Sequence, residues 1–303
     1  MTLSILSRLK TVIKIRKTDN MDPLSDQEFK DFLNDYQKHF IPSSEISKSV
    51  YEDENGRKRR GRKLVNSNFK MYSLDDIKDE CGAWNEYNKP KSTDGLFYKN
   101  KRNGLEIYLV EFKGHNLSDE DHKNNIKVLK DKFQKEIEEY ELNEPQKRCY
   151  KKKMVETLEK AEKNYMDSVQ HSLEQKPIET LFLTIPTLYK DYCERTGEPE
   201  KDIIEFIRTH KKRLFIFAFD EKEEDEDVPE DEENRERDDD KTEKKIYPLR
   251  NKLNNYYFKL KKGHIINSWE IYQFDEFDDF LDMEGLGRSM RYADINIHTF
   301  ENF

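Results

Sequence analysis

The stretch STDGLFYKNKRNGLEIYLVEFKG, residues 92–114, constrains this chain more than any other, because an Asn-Gly pair stands between two apolar runs of strand length. A type I′ turn needs positive φ at both central residues. Asn-Gly supplies it, so the sequence predicts a two-residue hairpin at Asn103 and Gly104. With that turn, Arg102 faces Leu105, and outward along the ladder Tyr98 faces Leu109, Leu96 faces Glu111 and Asp94 faces Lys113. Strand alternation puts Asp94, Leu96, Tyr98, Glu111 and Lys113 on one sheet face. Glu111 is then the diagonal neighbour of Asp94, with Cβ atoms about 7 to 8 Å apart.

Two carboxylates and an ammonium at an otherwise apolar strand end are costly if they are merely buried. A divalent cation makes the arrangement favourable. Asp94 and Glu111 offer hard oxygens of the kind Mg²⁺ (or Mn²⁺) takes, the backbone carbonyl of Phe112 is a third candidate ligand, and positions remain for water and a substrate phosphate. Such an ion lowers the pKa of water and stabilises charge on phosphorus-bound oxygens. Lys113 would orient that water or offset the developing charge. The alternative is a structural hairpin in which Lys113 pairs with Asp94.

Around the hairpin, helical and strand periods alternate. Residues 25–40 space Phe29, Phe32, Leu33 and Tyr36 as a short amphipathic helix, and the polar stretch 42–67 reads as a loop. That loop carries RKRRGRK, in which Arg57, Lys58, Arg59, Arg60, Arg62 and Lys63 are candidate nucleic-acid-binding residues. Ser73 with Asp76 opens a second helix with a capping-box pattern, its apolar stripe being Leu74, Ile77, Cys81 and Trp84. A cap at Ser118 starts a long helical region in which Pro145 separates two stripes, predicting an antiparallel helical hairpin. Pro177–Cys193 reads as a buried helix bent at Pro186, and Arg213–Asp220, RLFIFAFD, as a buried strand. Residues 255–266 suggest a strand, a turn at Lys262-Gly263 and a second strand, and 270–283 a further short helix or strand.

Charge is distributed unevenly. The chain has a net charge of -9, but residues 220–240 hold 15 acidic and 3 basic residues, so the remainder is slightly basic and suits a polyanionic ligand. This tract lacks aromatics and reads as a disordered linker. The 18 Phe and 16 Tyr argue for a real core despite a mean hydropathy of -1.10. Three widely spaced cysteines, Cys81, Cys149 and Cys193, fit neither a zinc knuckle nor a disulfide framework, which points to a reducing, cytoplasmic setting. No apolar run reaches transmembrane length, and the basic residues of the first 17 positions break up any secretory core.

An acidic residue at the start of one strand, a hairpin, and Glu-x-Lys at the end of the next strand resemble the active-site pattern of the PD-(D/E)XK nuclease superfamily. The resemblance covers about residues 70–220 and implies a mixed α/β (α+β) fold, a restriction-endonuclease-like core with a small mixed sheet flanked by helices. Its elements would be the Ser73 helix, the hairpin, the long helical region and RLFIFAFD. It implies catalytic roles for Asp94, Glu111 and Lys113, with Asp94, Glu111 and the Phe112 carbonyl on the metal and Glu80 as an additional ligand from the preceding helix. Thr93 stands where the family pattern has proline, and the helical excursion is longer than a minimal core. The implied layout is an N-terminal helical and basic segment (1–69), a core (70–220) with the helical hairpin inserted at 118–175, an acidic linker (221–245), and a C-terminal part (246–303) that completes the core. The implied function is Mg²⁺-dependent hydrolysis of phosphodiester bonds, as in a DNA endonuclease of restriction, defence or repair type, with nucleic acid and no membrane as partner. The competing expectation is a non-catalytic interaction protein that keeps the fold and uses the helical hairpin for assembly, as in a homo-oligomer, or for partner binding.

Overall fold

Ser25 closes a capping box with Glu28 at the start of α1 (Asp26–Asp35), whose Phe29, Phe32 and Leu33 turn inward at helical spacing. The computed structural model describes residues 21–52, 58–84, 89–102, 104–113, 120–139, 144–218 and 250–286. After a 3₁₀ turn come β1 (Phe40–Pro42), α2 (Ser43–Ile46), β2 (Lys48–Glu52), β3 (Lys58–Lys63), β4 (Lys70–Ser73) and α3 (Leu74–Cys81). The hairpin β5 (Gly95–Lys101) and β6 (Gly104–Lys113) follows, then α4 (Glu120–Glu139), α5 (Glu144–Glu179), a π-helical turn (Thr180–Thr184), α6 (Ile185–Thr196), α7 (Ile203–Thr209) and β7 (Lys211–Ala218). The last elements are a helix at 250–262 (α8), β8 (Ser268–Tyr272) and α9 (Phe277–Met283).

These strands build a six-stranded mixed sheet in the order β1-β4-β5-β6-β7-β8, flanked by helices. Pairing is antiparallel from β1 through β6 and parallel for β6-β7 and β7-β8. The change of sense follows from the connections, since a parallel neighbour needs a long crossover and α4 to α7 supply it. Alternation divides the core into two layers. Leu96, Leu105, Ile107, Leu109, Leu214 and Ile216 face a largely aliphatic cluster that includes α1, α3 and α5 to α8. Phe97, Tyr108, Phe112, Phe215 and Phe217 face a largely aromatic cluster closed by Phe277 and Phe280 of α9.

Several sequence expectations give way here. The hairpin ladder closes at Lys101 opposite Gly104, so Leu96 faces Leu109 and Tyr98 faces Ile107, two residues from the expected register. Gly104 uses its positive φ of 107° as the first ladder residue of β6 instead of as the second turn position. The side chains keep their faces because a two-residue shift preserves parity. Residues 42–67 are not one loop: β2 and β3 pair into a two-stranded sheet of their own, and β1 joins the main sheet. Residues 250–262 form a helix, because Leu253, Tyr257 and Leu260 bury at helical spacing and leave Phe258 exposed. Ser73 makes no side-chain cap; it is the last residue of β4, and the N–H of Leu74 donates to the carbonyl of Asp94 at 3.1 Å. The N-terminal segment 1–20, Arg57, the Ser118 cap and the acidic tract lie outside the described residues. Among the described residues no helix is long and apolar enough to cross a membrane.

Candidate functional site

Three elements bring charge together on the aliphatic face. Asp94 immediately precedes β5, Glu111 lies near the end of β6, and Lys176 lies near the end of α5. The Asp94 carboxylate accepts the N–H of Phe112 through Oδ2 at 2.7 Å and receives Lys176 Nζ on Oδ1 at 3.3 Å. Glu111 receives the same ammonium on Oε1 at 2.5 Å. Its other oxygen, Oε2, has no hydrogen-bond partner among the described residues, although the Glu111 side chain is only 2% exposed. Native proteins seldom leave a buried polar atom in that condition, so this oxygen calls for a missing partner.

The electrostatics follow from the burial. Loss of solvent, and then repulsion from Asp94, push Glu111 up to about 8. Burial raises Asp94 as well, partly offset by Lys176 and the Phe112 N–H. Burial opposes the charge on Lys176, but Asp94 and Glu111 together hold its ammonium well above the ordinary amine range. The pair therefore has a strong demand for positive charge, and Lys176 meets part of it.

The backbone around Lys176 is held by several contacts. Pro177 follows it inside α5 and has no N–H to give to the carbonyl of Leu173. Tyr257 of α8, fully buried, donates its hydroxyl to that carbonyl at 2.9 Å. The π-helical turn comes next, with the N–H of Ile185 reaching the carbonyl of Thr180 just before Pro186. Glu179 and Thr180 then accept the backbone N–H groups of Lys91 and Thr93 at 2.6 and 2.8 Å. These contacts tie the end of α5 to the segment that delivers Asp94.

The structure brings Asp94 and Glu111 together, and the shorter register sets Asp94 beside Glu111 instead of opposite Lys113. Lys113 remains on their face, half-buried, and its charge acts on Glu111. The ring of Phe112 stacks on Phe217 across the other face at 5.6 Å. Its N–H points to Asp94, and in an extended strand the carbonyl of the same residue points to that side too. Glu80 is not part of the cluster: its oxygens hold Lys38 and His39, each at 2.6 Å, near the other end of α3. Asp75, in the first turn of α3, is the residue of that helix whose charge reaches the cluster. It accepts from Ser92 at 3.0 Å and Lys78 at 2.7 Å, and its charge acts on both Asp94 and Lys176. Lys58, Arg59, Arg60, Arg62 and Lys63 form β3, outside the six-stranded sheet.

Sequence reasoning missed Lys176, Asp75 and Tyr257. One signal for Lys176 existed: Val169, Leu173 and Lys176 stand at i, i+4 and i+7, so the lysine continues a buried stripe. Among the described residues no three His, Cys, Asp or Glu side chains gather as a metal-holding group. The donor set nevertheless fits an ion that takes one or two carboxylates and fills its remaining positions with water and substrate oxygens, as Mg²⁺ does. The unpartnered Oε2 of Glu111 and the Phe112 carbonyl are the candidate oxygens for it. No family model, curated protein or solved structure matches the chain.

Proposed function

We propose that the protein is a Mg²⁺-dependent nuclease that hydrolyses phosphodiester bonds in DNA, an endonuclease of restriction, defence or repair type. One observation carries the reading: a buried carboxylate pair, Asp94 and Glu111, at adjoining strand ends, with one Glu111 oxygen unpartnered. The strand arrangement supports it, three antiparallel strands (β4, β5, β6) followed through helices by a parallel one (β7), which is similar to the core implied by the PD-(D/E)XK pattern. When bound, Mg²⁺ would lower the pKa of a water molecule and offset charge on the phosphate. Asp94 and Glu111 would hold the ion, with the Phe112 carbonyl as a third ligand. The Phe112 N–H fixes the orientation of Asp94. Lys113, half-buried on the same face, would supply positive charge beside a phosphate that becomes more negative as it is attacked. The basic strand β3 contributes phosphate contacts, and the free cysteines suit a cytoplasmic setting.

The test is cleavage of supercoiled plasmid DNA by the purified chain. Nicking or linearisation with Mg²⁺ is expected, with loss in EDTA and in Glu111→Ala, Asp94→Ala and Lys113→Ala. Cleavage that persists in all three variants, or a folded wild-type protein that leaves DNA intact with Mg²⁺ and with Mn²⁺, would rule the assignment out.

One observation favours a second reading. Lys176 already answers the carboxylate pair without a metal, as in a non-catalytic protein that keeps the fold and assembles through the helical hairpin α4-α5. Light scattering that shows a stable oligomer, together with no heat on Mg²⁺ or Mn²⁺ titration, would favour it.

A further inference from the structure

We infer that Lys176 is the resident cation of the carboxylate pair and that a divalent ion binds by displacing it. The inference rests on the metal-site reading of Asp94 and Glu111. Its ground is the place of the ammonium: Lys176 Nζ touches one oxygen of each carboxylate, at 3.3 and 2.5 Å, which is where an ion bridging the two would sit. One position cannot hold two cations: an ion seated there would meet the Lys176 ammonium at contact distance and repel it. Neutralisation by Lys176 is also incomplete, since Glu111 Oε2 remains buried without a partner.

The device is confined to one side chain. The backbone of α5 is fixed on both sides of Lys176, by Tyr257 on the carbonyl of Leu173 and by Glu179 and Thr180 on the segment before Asp94. Exchange therefore needs rotation of the four-carbon lysine stem and no movement of the helix. The stem has a way out, as the Lys176 side chain is 20% exposed. Asp75, with 59% of its side chain in solvent, already acts on the charge of Lys176 and gives the released ammonium an acidic neighbour at the surface. The carboxylates thus never face each other without a cation: lysine holds them while the ion is absent and leaves as it arrives. Affinity for the ion is reduced by the strength of the pairing it breaks.

Calorimetric titration of MnCl₂ into the wild-type protein and into Lys176→Gln tests this, with Glu111→Gln as the control that removes the site. Lys176→Gln should bind Mn²⁺ at least tenfold more tightly than wild type. In wild type, labelling of Lys176 by an amine-reactive acetylating reagent, mapped by mass spectrometry, should rise several-fold when Mn²⁺ is added. The labelling arm needs no variant and stands even if Lys176→Gln fails to fold. Mn²⁺ binding in wild type with Lys176 labelling unchanged or decreased would overturn the exchange while leaving the metal site in place. No Mn²⁺ binding in wild type or in folded Lys176→Gln would overturn the metal site itself, and the exchange with it.

Discussion

Arg213 and Glu111 are charged residues on neighbouring strands that face opposite layers of the sheet, and they are treated in opposite ways. On the aromatic face, each of the three nitrogens of Arg213 finds an acceptor: Nη1 on Glu284 at 2.5 Å, Nη2 on Glu270 at 3.3 Å and Nε on Ser268 at 3.0 Å. Its guanidinium also lies over Tyr108 and Phe215, 5.6 and 5.0 Å from their centroids. On the aliphatic face, Glu111 shares one lysine with Asp94 and leaves an oxygen empty. A completed network of this kind fixes a fold. An incomplete one is kept at a cost in stability and leaves a partner to be accounted for.

The contrast can be broken or sharpened by substitution. The largest effect belongs to the aromatic face. Phe217 is fully buried and packs against Phe112, Tyr272, Phe277 and Phe280, so Phe217→Ala should cost about 3 to 5 kcal/mol in urea unfolding. A loss below about 1 kcal/mol would mean that this layer is not the structural one. Tyr257→Phe should cost roughly 1 to 3 kcal/mol, because it leaves the carbonyl of Leu173 buried without a donor. The same variant should alter Mn²⁺ affinity, since the lost hydroxyl steadies the turn that carries Lys176; unchanged binding would separate that turn from the site.

The pH dependence should separate the two faces next. Folding moves Glu111 from its ordinary 4.5 up to about 8, so between those values the native state keeps a proton that the unfolded chain has released. Stability from this group is therefore full below about 4.5 and is lost as pH rises through about 8. Urea midpoints measured in EDTA should fall across that window in wild type and fall less in Glu111→Gln. Equal slopes in the two proteins would show that Glu111 is not the group responsible. Adding Mg²⁺ should restore wild-type stability more at pH 8.5 than at pH 6, because the ion needs the ionised carboxylate. The smallest effect is expected on the helical hairpin, where Val128 and Val155 are 64% and 48% exposed. Val128→Ser and Val155→Ser should each change stability by less than about 0.5 kcal/mol. A larger loss that grows with protein concentration would instead reveal an assembly surface.

Much of the sheet was legible because a period of two is a local signal. It placed Asp94 and Glu111 on one face even though the pairing was set two residues off. The register itself was not legible, because an Asn-Gly pair tells where a chain turns and leaves open whether the glycine lies in the loop or in the ladder. Tyr256, Tyr257 and Phe258 suggested a strand by composition, whereas burial of Leu253, Tyr257 and Leu260 on one stripe decided for a helix. Glu80 and Asp75 lie on one short helix, and only tertiary packing determines which end meets the hairpin. Lys176 was hidden by distance: it is 65 residues from Glu111 in sequence, and nothing local links the two.

The hydroxyl of Tyr257 on the carbonyl of Leu173 has a consequence in time. Its two partners are 84 residues apart, and the tyrosine comes from the later element, α8. A ribosome that has released β4 through β7 has already produced Asp94, Glu111 and Lys176, but the end of α5 still lacks the group that replaces the hydrogen bond lost at Pro177. Long-range closures of this kind form late in folding. A nascent chain stalled before α8 would therefore carry all three charged residues of the cluster without the contact that steadies the helix end bearing Lys176.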